Sequence, residues 1–162
     1  MSARSGIGYD SHRLAEGRRL LLGGVEVPGA ERGLTGHSDA DVLTHATIDA
    51  LLGAAGLGDI GQHYPDTDER WRDADSIELL AEVSRFLTEH GWTVRHIDTT
   101  VICEAPKLGA HRDAMRARLA DTVGLAPLEV NVKFTTNEGM GFVGRQEGIA
   151  ALAVATVERA DD

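Results

Sequence analysis

The chain has 162 residues, of which 42% are apolar, and it carries a formal net charge of −10. This length fits one domain of ordinary size, whose core needs neither a disulfide nor a structural metal. The negative charge makes DNA, RNA and anionic membrane surfaces poor partners. A phosphorylated small molecule is still compatible with this charge, because bound metal ions or local cations can reverse the potential inside one cleft.

Cys103 is the only cysteine in the sequence, so an intrachain disulfide cannot form. Residues 1–13 lack an apolar stretch of signal-peptide length, and no segment approaches the roughly 20 apolar residues of a membrane helix. We therefore expect a cytoplasmic protein, with no membrane and no nucleic acid among its partners.

Short β-like segments open the chain, and a helix follows them. Alternating residues predict a strand over 7–12 and two short strands within 20–27. Apolar residues at helical spacing predict a helix over 39–55, capped at its N-terminus by Ser38 or Asp39.

A long polar segment separates this helix from the next one. Residues 56–72 are rich in Gly, Asp and Pro, which predicts a loop long enough to suggest function. Asp75 is the expected N-cap of a second amphipathic helix that ends at Gly91. Residues 92–102 are rich in β-branched side chains and predict a strand.

The last third of the chain continues the alternation of helices and strands. A third helix is predicted over 106–123, and a strand over 129–135. Residues 149–157 fit a helix or a strand, since Ala favours the first and Val, Ile and Thr the second. The order of elements indicates an α/β or α+β class with a mixed sheet.

Three residues are candidate ligands for a metal ion. Asp10 and His12 lie two residues apart on the first predicted strand, so their side chains leave the same face. His45 on the first helix would add a third ligand, and an open fourth position is typical of catalytic zinc. Asp41 or Asp49 would then orient the His45 ring. Without a metal, these residues would be a hydrogen-bonded surface pair and a solvated helix face.

Two further polar segments are candidates for phosphate binding. His37 and Ser38 precede the first helix, where free amide groups favour an anion, although Ser38 also suits simple capping. Residues 133–139 end a strand with hydroxyl, amide and carboxylate groups, which suit a phosphate and magnesium site or an ordinary turn. Cys103 has no activating basic neighbour and is expected to be a packed thiol.

Motifs from nearly the whole chain occur in the order of one known family. They are GYDSH at 8–12, GHSDADV at 36–42 followed by His45, DALLGA at 49–54, GDIG at 58–61, YPDTD at 64–68, APK at 105–107, Thr135-Thr136, and GFVGRQEG at 141–148. With these motifs the chain resembles the 2-C-methyl-D-erythritol 2,4-cyclodiphosphate synthases of the non-mevalonate (MEP) isoprenoid pathway. Chance is a poor explanation for so many motifs in one order.

The resemblance implies a fold and a reaction. The fold would be α+β, with helices packed on one face of a mixed β-sheet, ferredoxin-like and assembled as a homotrimer with active sites between subunits. Residues 1–162 would form one synthase domain. The enzyme, a phosphorus–oxygen lyase, would convert 4-diphosphocytidyl-2-C-methyl-D-erythritol 2-phosphate to 2-C-methyl-D-erythritol 2,4-cyclodiphosphate and release CMP.

The resemblance also implies two metal ions. Asp10, His12 and His45 would hold Zn²⁺, and they are the same trio that the spacing indicates. Glu138 would hold a second divalent ion, Mg²⁺ or Mn²⁺, on the diphosphate of the substrate.

For the other site residues, the resemblance implies the following roles. His37 and Thr136 would be catalytic, by stabilising the transition state. Asp59 would contact the ribose, residues 64–68 the methylerythritol phosphate, and residues 103–109 the cytidine. The full set of implied substrate-binding residues is Asp10, Ser11, His12, His37, Ser38, Asp59, Ile60, Gly61, Tyr64, Pro65, Asp66, Thr67, Asp68, Cys103, Glu104, Ala105, Pro106, Lys107, Leu108, Gly109, Thr135, Thr136, Asn137, Glu138, Phe142 and Arg145.

The family also places an isoprenoid diphosphate in a central cavity of the trimer, next to Phe142, Arg145 and Glu147. Two other functions remain open at this point. The zinc trio could activate a water molecule in a phosphohydrolase. Alternatively, the chain could be a non-catalytic trimer that binds isoprenoid diphosphates through Arg145 and Phe142.

Overall fold

A computed structural model describes residues 2–159 of the chain. Its main sheet has five strands in the order β4-β1-β7-β5-β6, and β2 pairs with β3 separately. The strands are β1 (Ser2–Glu16), β2 (Leu21–Leu22), β3 (Val25–Glu26), β4 (Arg32–Thr35), β5 (Thr93–Ile102), β6 (Val130–Thr135) and β7 (Gly148–Arg159). The α-helices are α1 (Val42–Ala55), α2 (Ile60–His63), α3 (Ser76–Glu89), α4 (Arg112–Val123) and α5 (Gly141–Gly144). Short 3₁₀ helices lie at Glu69–Trp71, Gly109–His111 and Pro127–Glu129.

The main sheet is mixed, as expected. β1 pairs antiparallel with β7 from Ser2 opposite Arg159 to Arg13 opposite Gly148. β5 is antiparallel to β7 and parallel to β6. α4 connects β5 to β6, because two parallel neighbours need a crossover rather than a hairpin.

The ferredoxin-like part of the expectation is wrong. A ferredoxin-like chain runs β-α-β-β-α-β. Here the long strands and helices run β1, α1, α3, β5, α4, β6, β7, so two strands in succession come at the end. The physical reason is the parallel crossover through α4, after which β7 returns antiparallel and fills the gap between β1 and β5.

The helices pack on one face of the sheet, as expected. Gly8 of β1 and Ala153 of β7 alternate with their neighbours, and both are buried on the face that carries α1. The hydrophobic core lies between this face and α1, α3 and α4. The opposite face leaves large apolar side chains exposed, namely Ile7, Tyr9, Leu152 and Val154.

Three predicted elements need correction. The first helix begins at Val42 with Asp41 as its N-cap, because Ser38 and Asp39 are engaged elsewhere. The helix expected from residue 106 begins at Arg112, since residues 106–108 stay in the loop that follows β5. The loop predicted over 56–72 contains α2 and one 3₁₀ helix.

The other predicted elements match the structure more closely. Asp75 caps α3 and accepts from the Ile77 amide at 2.9 Å, as predicted. Residues 149–157, whose sequence fits a helix or a strand, belong to β7, because a segment that pairs with both β1 and β5 must be extended. Within the described residues, none of the helices has both the length and the apolar character needed to cross a membrane.

Candidate metal centre and adjoining cleft

The three predicted metal ligands meet at one point. Asp10 Oδ2 lies 2.9 Å from His12 Nε2 and 3.1 Å from His45 Nδ1, and the two ring nitrogens are 3.2 Å apart. Asp10 and His12 come from β1, and His45 comes from α1, which crosses over this strand. These three residues are therefore close enough to hold a divalent metal ion.

Each histidine ring is fixed by a second hydrogen bond on its far nitrogen. His12 Nδ1 donates to the carbonyl oxygen of Thr35 at 3.0 Å, which leaves Nε2 for the centre. His45 Nε2 lies 2.7 Å from Ser76 Oγ and 3.1 Å from Ser38 Oγ. Such outer partners set the tautomer that presents a lone pair to a metal.

Neither carboxylate proposed to orient His45 does so. Asp41 is fully buried and accepts from the amides of Gly23, Gly24 and Thr44 at 2.9, 2.7 and 3.0 Å. Asp49 accepts from the Ile60 amide at 2.8 Å. Both residues therefore tie other segments to α1. Ser38 and Ser76 contact the His45 ring instead, and the sequence analysis did not predict this contact.

The electrostatics of the centre favour charge on Asp10 and His12. Burial works against the ionised Asp10, but hydrogen bonds and charge from His12 and His45 outweigh it and lower its pKa to about 2. Burial also opposes a charged His12, yet the hydrogen bond and charge of Asp10 raise its pKa. Asp10 is therefore ionised and ready to bind a cation, whereas a metal ion must displace the proton of His12.

The centre opens into a cleft of about 440 Å³. Most of its lining was predicted, namely Asp10, His12, His37, Ser38, His45, Ile60, Gly61, Tyr64, Pro65 and Asp66. Gly36, Trp71 and Leu79 also line it and were missed. The ring of Trp71 packs edge-on against that of Tyr64, with 4.9 Å between the ring centroids. An aromatic residue within a Gly- and Asp-rich loop is the sequence feature that could have indicated Trp71 as a cleft residue.

Four of the substrate residues predicted between Asp10 and Asp68 do not line this cleft in the single chain. Ser11 lies on β1 between two cleft residues, so its side chain leaves the opposite face. Asp59 caps α2 by accepting from the Gln62 amide at 2.9 Å. Thr67 is exposed, and the carboxylate of Asp68 pairs with Arg70 at 2.6 Å. Their contacts with substrate stay predictions.

Five of the seven residues expected to bind cytidine line a second hollow of about 350 Å³, whereas Glu104 does not line it and Ala105 lines a separate hollow. The lining of the second hollow is Cys103, Pro106, Lys107, Leu108, Gly109, Arg112, Phe134, Thr135 and Thr136. Within the described part of the chain, this hollow and the metal cleft have no lining residue in common. Cys103 is buried, and this burial raises its thiol pKa to about 11, as expected for a packed thiol.

Glu104 and Glu138 lie close in sequence to residues that line this hollow. Glu104 Oε1 accepts from the amides of Asn137 and Gly139 at 2.7 and 3.4 Å, so it holds the turn that follows β6. Glu138 is exposed on that turn, and Thr136 Oγ1 lies 3.3 Å from its carboxylate. An exposed carboxylate beside a hydroxyl suits a hydrated divalent ion.

The residues expected at a central cavity lie around α5 and the turn after it. Phe142 is 36% exposed, and Arg145 Nε pairs with Glu147 Oε1 at 3.2 Å. Arg145 and Phe142 lie three residues apart in this segment, which therefore carries both a cation and apolar surface.

Comparison with known proteins gives consistent results. A 2-C-methyl-D-erythritol 2,4-cyclodiphosphate synthase of Alkaliphilus metalliredigens is 55% identical over 95% of this chain and 96% of its own. The bifunctional enzyme IspD/IspF of Anaeromyxobacter dehalogenans is 56% identical over 96% of this chain, which spans only 40% of that longer enzyme. The solved structure of a 2C-methyl-D-erythritol-2,4-cyclodiphosphate synthase in a CDP-bound form superposes with a TM-score of 0.87 and 39% identity, over 96% of this chain and all of that one.

The family model agrees with these relatives. The model described as the YgbB family matches residues 3–158, which include the metal centre, the cleft and the second hollow. On this match and these identities, the chain belongs to the YgbB family.

Proposed function

We propose that this chain converts 4-diphosphocytidyl-2-C-methyl-D-erythritol 2-phosphate to 2-C-methyl-D-erythritol 2,4-cyclodiphosphate with release of CMP. It is then a lyase of the MEP pathway of isoprenoid synthesis, and residues 1–162 act as one synthase domain. The observation that carries the proposal is the meeting of Asp10, His12 and His45 in a cleft, in a chain 55–58% identical to proteins named for this reaction. A cytoplasmic location stays a prediction.

Zn²⁺ is the proposed ion at the Asp10–His12–His45 centre. Ligands about 2.1 Å from a tetrahedral zinc stand roughly 3.4 Å apart. The distances of 2.9 to 3.2 Å between the three ligand atoms are a little shorter, so a small outward shift of the side chains would admit the ion, and two imidazoles with one carboxylate are a zinc-binding set. The open side of the centre faces the cleft, where a phosphate oxygen of the substrate would complete the coordination.

The proposed reaction needs no protein nucleophile. The 2-phosphate oxygen attacks the β-phosphorus of the diphosphate, a new P–O bond closes the ring, and the bond to CMP breaks. The divalent ions that Asp10, His12 and His45, and Glu138, would hold would supply charge neutralisation and alignment for the two anionic groups. The part of the chain is to bind and orient, and alignment of the reacting groups is worth on the order of 7–11 kcal/mol in favourable intramolecular cases.

His37 and Thr136 are the proposed catalytic residues, and both lie where a phosphate could reach them. His37 Nε2 donates to the carbonyl oxygen of Asp68 at 2.9 Å, which fixes its ring at the cleft wall. Thr136 lines the second hollow, next to Glu138, the proposed ligand of Mg²⁺ or Mn²⁺. The CDP-bound form of a solved relative supports a cytidine-linked substrate, and residues 103–109 are its proposed cytidine pocket.

We also propose a homotrimer with active sites between subunits. One substrate must touch both the metal cleft and the cytidine hollow, and these are separate surfaces of a single chain. A neighbouring copy that brings its hollow to the cleft would join them. It would also cover the exposed apolar side chains of Ile7, Tyr9, Leu152 and Val154. Phe142, Arg145 and Glu147 would then face a central cavity that takes an isoprenoid diphosphate.

The reaction is tested directly with purified chain, zinc, magnesium and substrate in oxygen-18 water. The proposal predicts CMP release and a cyclic diphosphate by phosphorus NMR, with no label in the product. Label in a phosphate product would instead show hydrolysis by metal-activated water. His45→Ala should abolish CMP release, and unchanged release in that variant would contradict the proposal.

A further inference from the structure

We propose that Ser76 and Asp39 are positioning residues for His45, and that they act as one hydrogen-bonded relay behind the metal centre. The proposal rests on the metal centre described under Proposed function. It concerns two residues outside the ligand set and outside the predicted substrate contacts. The relay joins the segment before α1 with the first turn of α3.

The first step of the relay is at the far nitrogen of His45. Its Nδ1 lies among the ligand atoms, 3.1 Å from Asp10 Oδ2, so Nε2 carries the hydrogen when Nδ1 offers its lone pair to a metal. Ser76 Oγ is the nearer acceptor at 2.7 Å, against 3.1 Å for Ser38 Oγ. The His45 N–H therefore donates to Ser76.

The second step gives the relay its direction. Ser76 Oγ has one hydrogen, and it donates this hydrogen to Asp39 Oδ1. The other oxygen of Asp39 accepts from the Ser76 amide at 3.0 Å. The hydrogen bonds thus run from the His45 N–H to the Ser76 hydroxyl and from there to the Asp39 carboxylate. Only the His45 tautomer with its hydrogen on Nε2 can make both bonds.

The residues of the relay are shielded from water, so that a lost hydrogen bond is costly. Ser76 is 0% exposed and His45 is 8% exposed, so water is a poor substitute for a lost partner. Asp39 is held in turn, since Oδ1 also accepts from the Asp41 amide at 3.1 Å. A carboxylate, a hydroxyl and a ring in this order form the kind of outer support that fixes a metal ligand.

The relay also ties the wall of the cleft to the metal centre. The amide of Asp39 donates to Ala74 O at 3.1 Å, and the amide of Asp73 donates to His37 O at 2.9 Å. The segment that ends at Ser76 therefore runs along residues 37–39. A ring of His45 held by zinc should restrain this segment through Ser76.

The test measures zinc affinity by competition with a chromophoric chelator, so it needs no substrate. Ser76→Ala should weaken zinc binding by about 10- to 100-fold, the usual effect of losing such a partner. Ser84→Ala, in the same helix α3, is the matched control and should bind zinc as the natural chain does.

A double-mutant cycle separates a relay from two unrelated structural roles. Asp39→Asn alone should weaken zinc binding, but in the Ser76→Ala background it should add less than a twofold further loss, because the link is already cut. Additive losses would overturn the relay. Hydrogen exchange gives a second measure: zinc should slow exchange over residues 68–76 in the natural chain and less so in Ser76→Ala.

The outcomes distinguish this inference from the proposed function. A natural chain that binds zinc, together with a folded Ser76→Ala whose affinity is within twofold of it, overturns the relay alone. A natural chain that binds no zinc overturns the metal centre and the relay together.

Discussion

Gly8 of β1 lies directly beneath the backbone of Ala46 in α1. A Cβ atom built at Gly8 would stand 1.9 Å from the carbonyl oxygen of Ala46, a distance that no side chain can adopt. Gly8 precedes Asp10 by two residues, and Ala46 follows His45 directly. The close backbone contact therefore sets the distance between two ligands of the metal centre.

Gly8→Ala should destabilise the chain and weaken the metal centre together. The new methyl group must push α1 away from β1, which we expect to lower the free energy of unfolding by about 3 kcal/mol. Zinc affinity should fall as well, because His45 moves with the helix. Urea unfolding and chelator competition measure the two effects.

Gly53→Ala, in the helix α1 that packs on Gly8, is the matched control. A Cβ at Gly53 has Ile7 O at 3.9 Å as its nearest neighbour, so it fits without movement. Replacing a helical glycine by alanine should raise stability by about 0.5–1 kcal/mol and leave zinc affinity unchanged. Equal behaviour of the two variants would contradict the role given to the Gly8 contact.

The sequence predicted the metal ligands because short-range geometry determines them. Alternation on a strand puts Asp10 and His12 on one face, and helical spacing isolates His45. The serine behind His45 could not be found in this way, since Ser76 is 31 residues away and reaches it only through packing of α3. Asp41 and Asp49 were the local guesses, and both bind other backbone amides.

For the fold as well, the sequence predicted the features that depend on local residues. Propensity and capping located α3 and β5, which depend on local residues. The strand order and the extended state of residues 148–159 depend on which strands flank β7, and no local pattern encodes that. The ferredoxin-like expectation came from the resemblance, and the observed order of the strands contradicts it.

Asp49→Ala should weaken substrate binding while leaving zinc in place. Asp49 accepts from the amide of Ile60, and Ile60 and Gly61 line the metal cleft. Loss of this bond frees α2, so KM should rise about tenfold with little change in kcat. Asp49→Asn keeps an oxygen acceptor and should stay near the natural values. An unchanged KM in Asp49→Ala would show that α2 is held without Asp49.

Glu104→Ala should impair the cytidine end of the site. Its carboxylate accepts from the amides of Asn137 and Gly139, and so connects the loop after β5 to the turn that carries Glu138. We expect CDP affinity to fall about tenfold, with zinc content unchanged. Glu104→Gln retains one acceptor oxygen and should recover most of the affinity. Calorimetric titration with CDP measures all three chains, and equal affinities would refute the role of Glu104.

The zinc-free chain should show a pH dependence set by Asp10 and His12. The lowered pKa of Asp10 gives stability above the ordinary aspartate value of about 4, and this is lost as the pH falls toward 2. The raised pKa of His12 gives stability that is complete below about 6.5 and is lost as the pH rises through the raised value. The contribution of the pair is therefore largest between about pH 4 and 6.5.

Urea unfolding in the presence of a chelator tests this window. The free energy of unfolding should decline above the window in the natural chain, and His12→Gln should remove that part of the decline. Added zinc should stabilise the natural chain more at pH 8 than at pH 6, because protons compete with the metal for the imidazoles. The same pH profile in the natural chain and in His12→Gln would contradict the assignment.

Zinc per chain, measured by elemental analysis after gel filtration, is the most direct test of the proposed centre. The natural chain should carry one zinc ion, and Asp10→Ala, His12→Ala and His45→Ala should each lose most of it while remaining folded. Full zinc retention in all three variants would mean that the ion binds elsewhere and that these side chains do not hold it.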